Sequence, residues 1–108
     1  MPALLLYGNY TPDTWKAIKA DPGVAPSAIE AAAVALGFRL AGFWFAFDEF
    51  DFYSIVEGDD FAALAALRHR LMSNATFKSL VGEVCFAPDE IIRAFKETPA
   101  RLIAIPPA

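Results

Sequence analysis

Phe38-Arg39-Leu40-Ala41-Gly42-Phe43-Trp44-Phe45-Ala46-Phe47-Asp48-Glu49-Phe50-Asp51-Phe52-Tyr53-Ser54-Ile55-Val56-Glu57 is the stretch that decides the fold. Its two arms are rich in aromatic and β-branched residues, and Asp48-Glu49 is the polar break between them. That pattern predicts a hairpin, with strands over Phe38 to Phe47 and Phe50 to Glu57. Seven of the fifteen aromatics of the chain lie between Phe43 and Tyr53. Successive side chains of a strand point to opposite faces. Strict alternation puts Phe38, Leu40 and Trp44 on one face of the first arm, with Phe43, Phe45 and Phe47 on the other. In the second arm Phe50, Phe52 and Val56 share one face, while Tyr53 and Ile55 share the other. Both faces of the hairpin are therefore apolar.

Outside the hairpin, Ala3 to Gly8 is a compact apolar run that reads as a first strand. Thr11-Pro12-Asp13 then starts a short helix carrying Trp15 and Ile18. Thr11 suits the N-cap, Pro12 the first helical position, and Asp13 the positive end of the helix dipole. Asp21-Pro22-Gly23 ends it. A second, alanine-rich helix is expected from Ser27, which has capping-box spacing to Glu30, and Gly37 stands where a C-terminal cap belongs. After Gly58, Asp59 or Asp60 caps a helix over Asp60 to Ser73, with Phe61, Leu64, Leu67 and Leu71 in one apolar stripe. Thr76 to Phe86 reads as a fourth strand. Pro88-Asp89-Glu90 starts a last helix in which Ile91, Ile92 and Phe95 are expected to pack. Residues 1–96 are expected to form the domain and 97–108 a Pro-containing apolar tail lying on a surface.

Strand, helix pair, strand, strand, helix, strand, helix is the order of a split βαβ arrangement. The fold class is α+β: a four-stranded antiparallel sheet with helices on one face. Helices in this order leave the other face open, and that face carries aromatics. An exposed apolar patch of that size is unusual for a monomer, so a homodimer or higher oligomer is expected.

Composition narrows the function classes. Hydrophobic residues make up 56% of the 108 residues and charged residues 20%, against about 45–50% and about 25% in ordinary domains. The chain is too apolar for disorder. A net charge of -4 without a basic stripe speaks against nucleic acid and anionic membranes as partners. No apolar run approaches the roughly 18 residues of a membrane span, which predicts a soluble, cytoplasmic protein. Cys85 is the single cysteine. It excludes an internal disulfide and is expected to pack as a small buried hydrophobe. Residues 48–60 hold six acids and no base, but their spacing fits no calcium loop, so neither a metal nor a cofactor is expected.

Candidate site residues follow from chemistry. His69 is the only histidine and sits at the border of the Asp60–Ser73 stripe, as a packing residue, a general base or a haem ligand. Arg68 falls within the stripe and is expected to snorkel to the helix edge, or else to meet Asp51 or a ligand carboxylate. Asp51 is placed on the third strand beside Tyr53; it is a candidate base if it faces a cavity, and a hairpin-end acid bonding backbone N–H groups if it does not. Tyr7, Asn9 and Tyr10 end the first strand, and Trp15 and Trp44 add stacking surface for a small, largely apolar ligand.

Tyr10-Thr11-Pro12, Leu36-Gly37, Phe47-Asp48-Glu49-Phe50-Asp51, Ile55-Val56-Glu57, Asp59-Asp60 and Phe86-Ala87-Pro88-Asp89-Glu90, in this order and spacing, resemble the GYD domain family over about residues 3–95. The Gly-x-Tyr-Asp signature of that family corresponds here to Asp48, Phe50 and Asp51, with the Asp alone kept. The resemblance implies a ferredoxin-like fold that pairs into a dimeric α+β barrel, burying the open face. Barrels of that shape host cofactor-independent monooxygenases, isomerases and haem-handling proteins. By analogy of fold alone, Asp51, His69 and Tyr53 are the candidate proton-transfer groups and His69 the candidate haem ligand.

Overall fold

Leu4, Leu6, Gly8 and Tyr10 are buried on one side of the first strand, while Leu5, Tyr7 and Asn9 alternate with them on the other. The computed structural model describes residues 2–97. Its elements run β1 (Ala3–Tyr10), α1 (Pro12–Ala20), α2 (Val24–Val34), β2 (Arg39–Phe45), β3 (Phe52–Glu57), α3 (Phe61–Met72), β4 (Phe77–Cys85) and α4 (Pro88–Glu97). The sheet order is β2-β3-β1-β4, every pairing antiparallel. This is the ferredoxin-like α+β arrangement expected from the element order. The tail expected over 97–108 lies outside the described residues from 98 onward; residue 97 ends α4.

The core lies between the sheet and α1, α2 and α3. Leu4, Leu6, Tyr10, Phe52 and Val56 from the strands meet Ile18, Ile29, Ala33, Leu64, Leu67 and Leu71 from the helices. Each such Leu, Ile or Phe contributes roughly 2–3 kcal/mol by area. Ser54 is buried among them and donates its hydroxyl to the Leu6 carbonyl at 3.2 Å, which removes the cost of an unpaired polar group.

Local signals account for most boundaries. Thr11 Oγ1 accepts the Thr14 N–H at 3.3 Å and Pro12 opens α1. Asp60 caps α3 by accepting the Ala63 N–H at 3.2 Å. Gly37 has φ +78°. There the N–H groups of Gly37 and Phe38 donate to the Val34 and Ala33 carbonyls and close α2 in a Schellman pattern.

Several expectations are corrected. The second helix begins at Val24, not Ser27. The turn at Asp21-Pro22-Gly23 feeds straight into it, and Pro26 sits in the first turn, where its missing N–H has no intrahelical role. Ser27 therefore donates its N–H to the Gly23 carbonyl as an ordinary helical residue. The connection of the hairpin is six residues, 46–51, and the third strand begins at Phe52, not Phe50. Phe61 is 52% exposed and not part of the buried stripe, which Leu64, Leu67 and Leu71 complete. As the first residue of α3 it stacks on Phe86, with ring centroids 6.0 Å apart. Ile91, Ile92 and Phe95 do not pack: α4 follows an edge strand, and none of its residues is buried. Cys85 is exposed for the same reason of edge position.

The largest correction concerns the faces of β2. Leu40 pairs with Val56 and Gly42 with Ile55, so Ala41 is an extra residue without a partner. This bulge reverses the alternation. Phe38 and Leu40 before it, and Phe43 and Phe45 after it, all pack on the core, while Trp44 stands opposite them at 55% exposure. Phe50, expected beside Phe52, lies instead against Tyr7 and Tyr53.

Candidate functional site

β1 ends on Tyr10, and this residue organises one end of the molecule. Its ring is stacked between Phe52, 4.9 Å away, and Phe77, 5.6 Å away, and meets the Trp15 ring edge-on at 5.7 Å. Only 4% of Tyr10 is exposed. Its hydroxyl is buried and has no hydrogen-bond partner among the described residues. Burial first, and then the Asp51 carboxylate, push the Tyr10 phenol well above its ordinary range.

Asp51 ties the hairpin loop to this corner. Its Oδ2 accepts the Tyr10 backbone N–H at 2.9 Å and the Trp15 indole N–H at 3.2 Å. Its own N–H donates to the Gly8 carbonyl and its carbonyl accepts the Ala46 N–H, both at 2.8 Å. These bonds explain why the chain leaves strand geometry before Phe52. Asp51 therefore sits in the loop and does not share a strand face with Tyr53. Of the two sequence readings, the structure places it as the hairpin-end acid. Asp48 needs no glycine-like backbone, since no non-glycine residue among those described has positive φ.

Beside Tyr10 a groove of about 580 Å³ is lined by Tyr10, Pro12, Trp15, Lys16, Lys19, Phe47 and Lys78. The Phe47 ring lies nearly parallel to Trp15, at 24° and 6.3 Å, and is 88% exposed. Lys16 and Lys19 are three apart on α1 and so share a face. Lys78 follows Phe77, whose register partner is Tyr10. Tyr10 also lines a second cavity of about 400 Å³ under α1 and α2, with Ile18, Ala25, Ile29 and Phe77 among its walls. Spacing alone could not reveal the lysines of the groove as a group, because 62 residues of chain separate Lys16 from Lys78.

The helix-free face of the sheet is a separate surface. Trp44, Tyr53, Tyr7 and Val81 stand in one cross-strand row. Tyr7 and Tyr53 stack at 5.4 Å, and Phe50 packs edge-on against both. The Trp44 ring lies back over Gly42, in the space a β-carbon would need. Tyr7 donates its hydroxyl to Glu83 Oε1 at 3.3 Å, and Asn9 Nδ2 donates to Ser79 Oγ at 3.1 Å. Desolvation, then the Glu83 charge and hydrogen bond, raise the Tyr7 phenol.

The candidate residues thus divide among three surroundings. Tyr10, Trp15 and Asp51 meet at the groove; Tyr7, Asn9, Trp44 and Tyr53 share the open face. Arg68 and His69 belong to α3. The Arg68 stem lies over Gly82, as expected of a snorkelling side chain. His69 is exposed beside Leu36, Arg70 and Ser73 in a shallow depression. Asp51 and His69 share no cavity wall or hydrogen bond, so the structure does not bring them together as an acid–base pair. No group of His, Cys, Asp and Glu among the described residues is arranged to hold a metal ion. None of the described helices is long and apolar enough to cross a membrane.

A family model described as GYD domain matches residues 4–95 of the chain. No curated protein and no solved structure matches it.

Proposed function

The chain belongs to the GYD domain family, and from that premise we propose a homo-oligomeric α+β barrel protein that binds a small, largely apolar ligand. The observation that carries the assembly is the row Trp44, Tyr53, Tyr7 and Val81, with Phe50 against it, on a face that no helix covers. Each aromatic buried there by a second copy contributes roughly 2–3 kcal/mol by area. A face that pairs with itself about a two-fold axis needs only one such patch per chain. The exposed Ile91, Ile92 and Phe95 of α4 offer further apolar surface in keeping with subunit contacts. The ligand is assigned to the groove at Tyr10, Trp15 and Phe47, whose size and apolar walls suit a small molecule.

Native mass spectrometry of the full chain tests both parts. The expected spectrum shows dimers or higher oligomers and retained small-molecule mass. A stable monomer at micromolar concentration overturns the assembly.

A further inference from the structure

We propose that the groove beside Tyr10 selects an amphipathic anion, whose flat apolar body lies against Trp15 and Phe47 and whose charged head sits among Lys16, Lys19 and Lys78. This deepens the small-ligand reading above and rests on it. The chain carries a net charge of -4 and four lysines, yet three of those four line this one groove. None of the three makes an ion pair or hydrogen bond among the described residues, and no acid is among the groove's lining residues. Converging ammonium groups with no counter-charge create a local positive potential in an otherwise acidic protein, which attracts an anion of matching size.

The Tyr10 hydroxyl adds a second, independent mark. It is buried at the wall of the groove without a partner among the described residues. Buried polar groups are nearly always paired, so an unpaired one points to a group the chain does not itself supply. A phenol O–H donated to an oxyanion is the stronger kind of hydrogen bond. The nearby acid, Asp51, does not compete, because its Oδ2 is already taken by the Tyr10 and Trp15 N–H donors. A neutral apolar ligand would leave three lysines and one hydroxyl unanswered. The shared chemistry is therefore a single carboxylate, sulfonate or phosphate on a flat apolar body.

Two probes with nearly the same apolar body separate the ideas: 8-anilinonaphthalene-1-sulfonate and neutral N-phenyl-1-naphthylamine, titrated by fluorescence against the full chain at low and high salt. The sulfonate is expected to bind more tightly, with an affinity that falls as salt rises. Exchanging all three lysines (K16Q, K19Q and K78Q) should weaken the sulfonate on the order of tenfold and leave the amine unchanged. The exposed Phe47→Ser should weaken both. Equal binding of the two probes, indifferent to the lysine exchanges, overturns the anion inference while leaving the small-ligand reading in place. Binding indifferent to Phe47→Ser overturns the location, and failure of both probes to bind overturns both readings.

Discussion

Trp15 and Tyr10 share one acceptor, Asp51: its Oδ2 takes the indole N–H at 3.2 Å and the backbone N–H at 2.9 Å. One carboxylate oxygen thus pins α1 and the end of β1 to the loop between β2 and β3, and positions the aromatic wall of the groove.

Asp51→Ala should cost roughly 1–3 kcal/mol, because it leaves two part-buried donors without their charged acceptor. Asp51→Asn, which keeps one acceptor oxygen, should recover part of that loss. Denaturant unfolding measures both, and the Trp15 indole proton shift should move in both variants. Equal stability of the Ala variant and the parent would show the bridge to be idle.

Tyr10→Phe removes a buried hydroxyl that has no partner among the described residues. At neutral pH the stability of the ligand-free protein should stay level or rise by about 1 kcal/mol. The phenol ionises at higher pH folded than unfolded, so the folded state holds its proton where the unfolded state has lost it. Stability therefore falls as pH rises above about 10, the unfolded value. Tyr10→Phe should shrink that alkaline loss; unfolding curves from pH 8 to 11.5 give the comparison.

Tyr53→Glu places a charge in the middle of the open-face row while leaving the core residues Phe52 and Ser54 untouched. The expected outcome in sedimentation is a shift toward monomer at unchanged circular dichroism. An oligomer that survives the substitution locates the interface elsewhere.

Leu64→Ala and Phe61→Ala distinguish residues that a helical wheel treats alike. Leu64 is fully buried and its truncation should cost about 2–5 kcal/mol. Phe61 is half exposed at the start of α3, and its loss should cost less than about 1.5 kcal/mol, the value of its ring contact with Phe86.

Much of the fold was legible because its signals are local. Thr11, Gly37 and Asp60 mark helix ends through bonds to neighbours a few residues away, and the apolar runs of β1 and β3 need only a period of two. Ala41 was not legible: a bulge is decided by how β2 pairs with β3, and no residue type in Leu40-Ala41-Gly42 announces it. For the candidate site, Tyr10 and Trp15 were named from their place at the end of a strand and in a helix. The role of Asp51 as their common acceptor was open until the loop path of 46–51 was known.

Element order, the antiparallel sheet and an excess of aromatics on one hairpin were set by composition and short-range pattern, since propensity, capping and alternation act over a turn or two of chain. Tertiary structure alone decided which aromatics reach the core, because one bulged residue reverses every side chain after it. It alone also gathered Lys16, Lys19 and Lys78 around Trp15 and Phe47. Charges far apart in sequence become neighbours only through the pairing of β1 with β4, and no periodicity records a contact made across the sheet.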